Sequence, residues 1–293
     1  MTVSLEELNT ATDGDFVSAV GDVFENAPWV AGRTAPRRPF DSVTALHAAM
    51  MQTIAEAGAE ERLAFLRGHP ELAGKVARAG AMTGASIAEQ GSLGLDRLSD
   101  AEFARFEALN DAYRSRFGFP FIICVRRHTR DSILRCFARR LENDAAAEEQ
   151  TAITEIGFIS RLRLAGKATG AGMPVTTGRL STHVLDTVAG RPAAGVLVSL
   201  HEIGASATAD LVSVRTNRDG RTDAPLIANE PLRIGTYELR FHVGDYFART
   251  GCATADPPFL DVVPVRFAIA EPEAHYHVPL LVSPWTYTTY RGS

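Results

Sequence analysis

The sequence predicts a multidomain protein in which an all-α helical bundle is followed by an all-β sandwich. Through the first half, apolar residues recur at the three- and four-residue spacing of a helix. A Gly-rich stretch of small residues comes next, and after it apolar and polar residues alternate as they do in strands. We therefore expect a helical domain at residues 1–165, a flexible linker at 166–178 and a β domain at 179–293.

The helical half contains five amphipathic segments that are rich in strong helix formers. They lie at residues 45–56, 59–67, 100–116, 131–142 and 145–164. Ser42 and Ser99 stand where a helix N-cap is expected, just before the first and third of these segments. Gly68-His69-Pro70 ends the second segment, because glycine and proline both interrupt a helix.

The β half contains short runs with the two-residue period of a half-buried strand. They lie at residues 196–200, 211–214, 237–243, 262–269 and 276–282. Asp219-Gly220 is a turn signal between two of them, and residues 245–249 have the pattern of a single helical turn. Several short strands within little more than a hundred residues predict a β-sandwich.

Composition and charge argue against several classes of protein. The net charge is −5 with both signs mixed along the chain, which is not the basic surface that nucleic acid requires. No apolar run approaches the roughly 18 residues of a membrane span, and the first residues lack the pattern of a signal peptide. The three cysteines have no metal-binding spacing. We therefore expect a cytoplasmic protein with no metal, nucleic-acid or membrane partner.

The β half carries a set of polar residues suited to hydrolysis. His183 and His277 can take a proton from water near neutral pH. Arg221 offers a fork of donors for a developing oxyanion, and Ser293 adds a hydroxyl and the terminal carboxylate. A lone histidine on a strand is more often structural, so the pattern depends on these residues acting together. The other histidines of this half, His201, His242 and His275, lack such support.

Four separated motifs of the β half resemble 5-hydroxyisourate hydrolase, an enzyme of the transthyretin-like family. They are LSTHVLDTVAGRPA from residue 180, NRDGR from 217, YELRFHVGDYF from 237 and HYHVPLLVSPWTYTTYRGS from 275. The resemblance implies a transthyretin-like sandwich whose active site contains His183, Arg221, His277 and Ser293. Transthyretin itself is a carrier that lacks the histidine pair and the YRGS ending, so a binding protein is the alternative from another class.

Three motifs of the helical half, in order, resemble 2-oxo-4-hydroxy-4-carboxy-5-ureidoimidazoline (OHCU) decarboxylase over roughly residues 5–165. They are GHPELAG from residue 68, SIAEQ from 86 and RFGFPFIIC from 116. The resemblance implies that His69 is the proton donor, that Glu89 faces the substrate and that Arg163 is a cation near the leaving carboxylate or the ring oxyanion. It also implies a lining for the substrate formed by Pro70, Ser86, Gln90, Phe121, Ile122, Ile123 and Val125.

The chemistry of decarboxylation fits these residue types. Loss of carbon dioxide leaves a carbanion that is delocalised into the substrate ring, so a pocket of donors can stabilise it without a cofactor. His69 can deliver a proton to one face, and Glu89 can orient the histidine or hold ring nitrogens. Arg161 lies two residues from Arg163, and one of them is expected to face the pocket while the other points elsewhere.

These resemblances together predict a bifunctional enzyme of urate catabolism. The β domain would hydrolyse 5-hydroxyisourate to OHCU, and the helical domain would decarboxylate OHCU to (S)-allantoin. The partners are these small molecules, no cofactor is implied, and the families suggest a homo-oligomer, either a dimer or a tetramer. Two alternatives stay open, namely a carrier for a planar heterocycle and a chain in which only one of the two sites is active.

Overall fold

The computed structural model describes residues 2–73, 84–95, 98–204, 208–252 and 255–292. The chain divides into two compact units. The first comprises Met1–Arg126 and Ile133–Thr176, and the second comprises Thr177–Ser293 together with the short segment Arg127–Ser132. The described part of the first unit is mainly helical and that of the second is mainly β, which confirms the predicted fold class.

The described helices include all five that the sequence predicted, with ends that differ by three residues or fewer. Helices α1 to α9 span Leu5–Thr10, Asp13–Val20, Pro28–Thr34, Val43–Ala55, Ala59–Arg67, Gly84–Gly91, Asp100–Phe117, Arg130–Arg140 and Ala145–Lys167. Helices α1, α2, α3 and α6 were not predicted, because helices of six to eight residues are too short to show a clear period. None of the helices in the described ranges is both long and apolar enough to cross a membrane.

Both predicted N-caps form. Ser42 Oγ accepts a hydrogen bond from the backbone N–H of Ala45 at 3.0 Å, at the start of α4. Ser99 forms a reciprocal capping box with Glu102 at the start of α7. That helix ends at Gly118, whose φ of +76° is a left-handed conformation that glycine adopts without strain. The chain then enters the extended segment that contains Phe121.

A buried ion pair packs against the extended segment that contains Phe121. The side chains of Arg140 on α8 and Glu148 on α9 are 2% and 0% exposed, and Arg140 Nε donates to Glu148 Oε1 at 2.8 Å. Arg140 Nη1 also donates to the carbonyl oxygen of Ile122 at 2.7 Å, and its guanidinium lies 4.4 Å from the ring centroid of Phe121. The pair therefore holds the backbone of residues 121–122 in place.

The predicted flexible linker is in part regular structure. Helix α9 continues to Lys167, and the next two residues form strand β2, Ala168–Thr169, which pairs in parallel with strand β1, Val3–Ser4. The carbonyl oxygens of residues 171 and 172 accept backbone hydrogen bonds from residues 43 and 44, both at 3.0 Å. Residues 166–172 therefore pack on the first unit. Their small side chains are compatible with strand pairing as well as with a flexible linker.

The described part of the second unit contains two four-stranded sheets and a two-stranded ribbon. Strands β3 to β12 span Arg179–Ser181, Val184–Asp186, Arg191–Pro192, Leu197–Ile203, Thr208–Arg215, Gly235–His242, Val262–Ile269, His275–His277, Leu280–Val282 and Tyr287–Thr289. The sheet orders are β12-β11-β4-β5 and β7-β6-β8-β9, and β10 pairs with β3. Buried side chains from these sheets, among them Val198, Leu239 and Leu280, form one core.

Two predictions for the second unit need correction. The predicted strand 276–282 is divided into β10 and β11, because Pro279 between them has no N–H for a ladder hydrogen bond. The predicted single turn at 245–249 is helix α10, Val243–Thr250, which ends at Gly251 with a φ of +73°. The division after β10 is functionally relevant, because it sets the place of His277 at the end of that strand.

Candidate functional sites

The first unit contains a small, partly enclosed cavity. All ten residues that the resemblance implied for the helical half line it, namely His69, Pro70, Ser86, Glu89, Gln90, Phe121, Ile122, Ile123, Val125 and Arg163. They come from the end of α5, from α6, from the extended segment after α7 and from α9. Three further lining residues, Glu25, Leu72 and Ile159, were not singled out from the sequence.

His69 is oriented by the end of helix α5. Its backbone N–H donates to the carbonyl oxygen of Leu66 at 3.2 Å. Its ring meets that of Phe65 edge to face, and Nδ1 lies 3.0 Å from the carbonyl oxygen of the same residue. A carbonyl can only accept, so Nδ1 carries the proton and Nε2 is the acceptor in the neutral ring. Burial lowers the pKa of His69 to about 4, and the ring is therefore neutral at pH 7.

Helix α6 presents three of the lining residues on one face. Ser86, Glu89 and Gln90 are three and four residues apart, so their side chains project to the same side of the helix. Gln90 Oε1 accepts from the backbone N–H of Ala73 at 2.9 Å, and its Nε2 donates to the carbonyl oxygen of Glu71 at 3.3 Å. Gln90 thus ties the segment after His69 to this helix.

Arg163 of α9 is held at the cavity by two carboxylates. Its Nε and Nη2 donate to the two oxygens of Glu89, each at 2.9 Å, and Nη1 donates to Glu25 Oε2 at 2.8 Å. Nη2 is also 3.3 Å from Ser86 Oγ. Burial alone would lower the pKa of Arg163, but its bonds to Glu89 and Glu25 outweigh burial and raise that pKa. The guanidinium is therefore a permanent charge in the cavity.

The structure shows which of Arg161 and Arg163 faces the cavity, a choice that the sequence left open. Arg163 lines the cavity, whereas the Arg161 guanidinium lies over the ring of Phe158, 5.4 Å from its centroid. Glu25 was missed because it lies in a short segment after α2 that has no periodicity. Its one signal was an acidic residue directly after the apolar pair Val23 and Phe24.

The second unit brings His183 and His277 into direct contact. His183 Nδ1 and His277 Nε2 share a hydrogen bond of 2.8 Å, and the two rings are nearly parallel, with an angle of 14°. The contact arises because β10 pairs with β3 and β11 with β4, which places both histidines at the junction of these strands. Arg221 is bridged to His183 through the backbone, so all three residues lie together.

The environment keeps this histidine pair neutral. Burial lowers the pKa of His277 to about 4, with further lowering by His183 and Arg221. Burial and the charge of Arg221 also lower the pKa of His183. At pH 7 one ring of the pair therefore donates its N–H and the other accepts it. A neutral pair can accept a proton from water.

His275 has contacts that the sequence did not predict. Ser181 Oγ lies 2.8 Å from His275 Nε2 and 2.9 Å from His277 Nδ1. The hydroxyl therefore links the exposed His275 to the histidine pair. The backbone of His277 also pairs with that of Gly292 at the end of the chain. The predicted site residue Ser293 lies outside the described residues.

Each domain therefore has its own cluster of titratable side chains, and the chain is a two-domain enzyme. A family model described as "OHCU decarboxylase" matches residues 9–165, and one described as "HIUase/Transthyretin family" matches residues 180–292. The chain belongs to the OHCU decarboxylase family through its first domain and to the HIUase/transthyretin family through its second.

Known proteins are similar to each half of the chain, and a solved structure is similar to nearly the whole chain. The 5-hydroxyisourate hydrolase of Ralstonia nicotianae is 55% identical over 116 residues, which are 40% of this chain and 99% of that protein. The OHCU decarboxylase of Halalkalicoccus jeotgali is 42% identical over 162 residues, 55% of this chain and 90% of that protein. A crystal structure of (S)-allantoin synthase is 32% identical with a TM-score of 0.54, covering 99% of this chain and all of that one.

Proposed function

We propose that this enzyme converts 5-hydroxyisourate to (S)-allantoin in two consecutive reactions. The second domain hydrolyses 5-hydroxyisourate to OHCU, and the first domain decarboxylates OHCU. One observation carries the proposal: both families occur in a single chain that matches an (S)-allantoin synthase over 99% of its length. Joining the two sites in one chain raises the local concentration of the intermediate near the second site.

For the hydrolysis, the histidine pair is proposed as the base. The neutral pair of His183 and His277 takes a proton from water, whose oxygen attacks a ring carbonyl of the substrate. Negative charge then develops on the carbonyl oxygen, and Arg221 supplies the donors that stabilise it. The ring C–N bond breaks, and the proton held by the pair passes to the leaving nitrogen. The side-chain hydroxyl of Ser293 is proposed to orient the substrate.

For the decarboxylation, His69 is proposed to move one proton. Because His69 is neutral with Nε2 as acceptor, it can first take the proton of the substrate's 4-hydroxyl group. As the carboxyl group leaves as carbon dioxide, its bonding electrons pass into the ring. His69 then returns the proton to the adjacent ring carbon from one face, which yields one enantiomer, and the ring nitrogen that received the electron pair takes a proton from water. Arg163 stabilises the negative charge that develops, and the apolar residues 121–123 exclude water.

The test is to add freshly prepared 5-hydroxyisourate and to follow ultraviolet absorbance and circular dichroism together. We expect both phases to be accelerated, with the dichroism of (S)-allantoin appearing in the second. A carrier would accelerate neither phase, and a chain with one active site would accelerate only one. Addition of a chelator should leave both rates unchanged, since the proposed chemistry uses no metal.

The enzyme is also proposed to act as a cytoplasmic homo-oligomer, a dimer or a tetramer. Within the described sheets, β9 and β12 each have one unpaired edge, which is a common site of strand pairing between subunits. Aromatic residues near β12 are exposed, among them Trp285 and Tyr290 at 60% and 54%. Light scattering of the purified protein gives the assembly directly, and a monomer at working concentration would contradict the proposal.

A further inference from the structure

The guanidinium of Arg163 is almost fully occupied before any substrate arrives. It makes four hydrogen bonds, two to Glu89, one to Glu25 and one to Ser86. A guanidinium has five N–H donors, so at most one remains for a ligand. A substrate carboxylate is recognised best through two parallel N–H donors. One of the existing partners must therefore release Arg163 when the substrate binds.

Charge leads to the same conclusion. Glu25 and Glu89 place two carboxylates on one guanidinium, so the positive charge of Arg163 is already shared between two acids. Burial keeps the nearby His69 neutral, so it adds no compensating positive charge. The carboxylate of OHCU would add a further negative charge to a buried cluster, which is unfavourable unless it takes over part of Arg163.

The two acids differ in how firmly they are held. The Glu25 side chain is 4% exposed, and its Oε2 accepts from both Arg163 and Ser86 Oγ, the latter at 3.1 Å. The Glu89 side chain is 20% exposed and lies on the short helix α6. Its two oxygens take up Nε and Nη2 of Arg163, which is the paired edge that a substrate carboxylate would use.

On the basis of the decarboxylase function proposed above, we infer that Glu25 is a positioning residue that anchors Arg163 permanently. Glu89 is the exchangeable partner. When OHCU binds, Glu89 leaves Arg163 and binds the hydroxyl or ring N–H groups of OHCU, and the substrate carboxylate takes the place of Glu89 on Arg163. The two acids therefore have separate tasks. Glu25 keeps the cation in the cavity, and Glu89 moves between the cation and the substrate.

The inference predicts different kinetic effects for two matched substitutions. In Glu25→Gln the shape is retained but the anchor loses its charge, so Arg163 binds Glu89 more tightly and the substrate must compete with it. We expect KM for OHCU to rise about tenfold or more. In Glu89→Gln the anchor remains and Arg163 is more available, so KM should stay within about threefold of wild type while kcat falls about a hundredfold.

The experiment measures KM and kcat for OHCU in the full chain, with OHCU generated in place by excess separate hydrolase. Asp22→Asn is the matched control, because Asp22 lies three residues from Glu25 but forms an exposed ion pair with Lys167. This control should leave both constants unchanged. Ser86→Ala removes the hydrogen bond from Ser86 to Glu25 and the one from Arg163 to Ser86 without removing a charge, and we expect it to raise KM by a smaller factor.

The thermal midpoint of unfolding shows whether each variant is folded, and hydrolysis by the second domain is an internal control for the amount of enzyme. If the Glu25→Gln variant is unfolded, the KM of the Ser86→Ala variant tests the inference instead. An unchanged KM in the folded Glu25→Gln variant, or in Ser86→Ala where the former does not fold, would overturn the inference. Equal increases in KM for the Glu25 and Glu89 variants would also overturn it. Absence of decarboxylation by the wild-type chain is a separate result, which would contradict the proposed function itself.

Discussion

His183 and His277, which are separated by 94 positions in the sequence, share a 2.8 Å hydrogen bond between Nδ1 of the first and Nε2 of the second. The contact lets the two neutral imidazoles act as one proton acceptor, and the hydroxyl of Ser181 hydrogen-bonds to both His275 and His277. Such a unit titrates as a pair, and each positive charge that it acquires makes the next one less favourable.

The rate of 5-hydroxyisourate hydrolysis should be nearly constant from pH 8 to about 7 and should fall at lower pH, with its midpoint below the ordinary histidine pKa of 6.5. The pKa values of both rings are lowered from 6.5, that of His277 to about 4 in part by the charge of a protonated His183, so the first proton that the pair takes up sets the midpoint. Initial rates at constant ionic strength between pH 3.5 and 8 measure this. A midpoint at or above pH 6.5 would show that the pair is protonated more easily than its burial indicates.

Gly292→Ala should reduce the hydrolysis rate by about ten- to a hundredfold. A Cβ at this position would lie 3.0 Å from Cδ2 and 3.3 Å from Cβ of His277, so either the ring or the end of the chain must move. Displacement of a catalytic group by about 1 Å has effects of this size. Gly166→Ala is the control, since its Cβ would meet nothing within 4 Å. Decarboxylation should be normal in both variants, and unchanged hydrolysis in Gly292→Ala would contradict the prediction.

His69→Ala should lower the decarboxylation rate by roughly two to four orders of magnitude and leave hydrolysis unchanged. The reason is that the cavity loses its neutral proton carrier, whereas the second domain does not use this residue. Consumption of 5-hydroxyisourate and appearance of (S)-allantoin are followed separately. His183→Ala is the reciprocal control, which should decarboxylate OHCU but not hydrolyse 5-hydroxyisourate. Near wild-type formation of (S)-allantoin by His69→Ala would exclude His69 as the proton carrier.

Glu148→Gln should lower the free energy of unfolding of the first domain by about 3–5 kcal/mol. The substitution leaves the buried charge of Arg140 without its counter-charge. Denaturant titration can resolve the domains, because Trp29 reports on the first and Trp285 on the second. Glu61→Gln is the control, because its ion pair with Arg33 is exposed and contributes little. Equal stability of the Glu148 variant and wild type would mean that the pair is not required for folding.

Local patterns in the sequence predicted the regular elements well. The helix at Ala59–Arg67 and the strand at Val262–Ile269 have the predicted ends, because each has a clear period and a definite stop. The short helices before residue 35 escaped prediction since they contain too few turns for a period to appear. Residues 166–172 were assigned to a linker because their composition does not reveal that β2 pairs with a strand at the start of the chain.

The sequence by itself determined that a helical domain precedes a β domain, and its motifs named nine residues that line one cavity, together with one of the two arginines Arg161 and Arg163. It did so because periodicity, caps and motifs are properties of neighbouring residues. Only the tertiary structure decided that Arg163 rather than Arg161 lines the cavity and that Glu25 joins it across 138 positions. Such contacts depend on how helices pack on one another, and no local pattern in the chain encodes the distance between two residues so far apart.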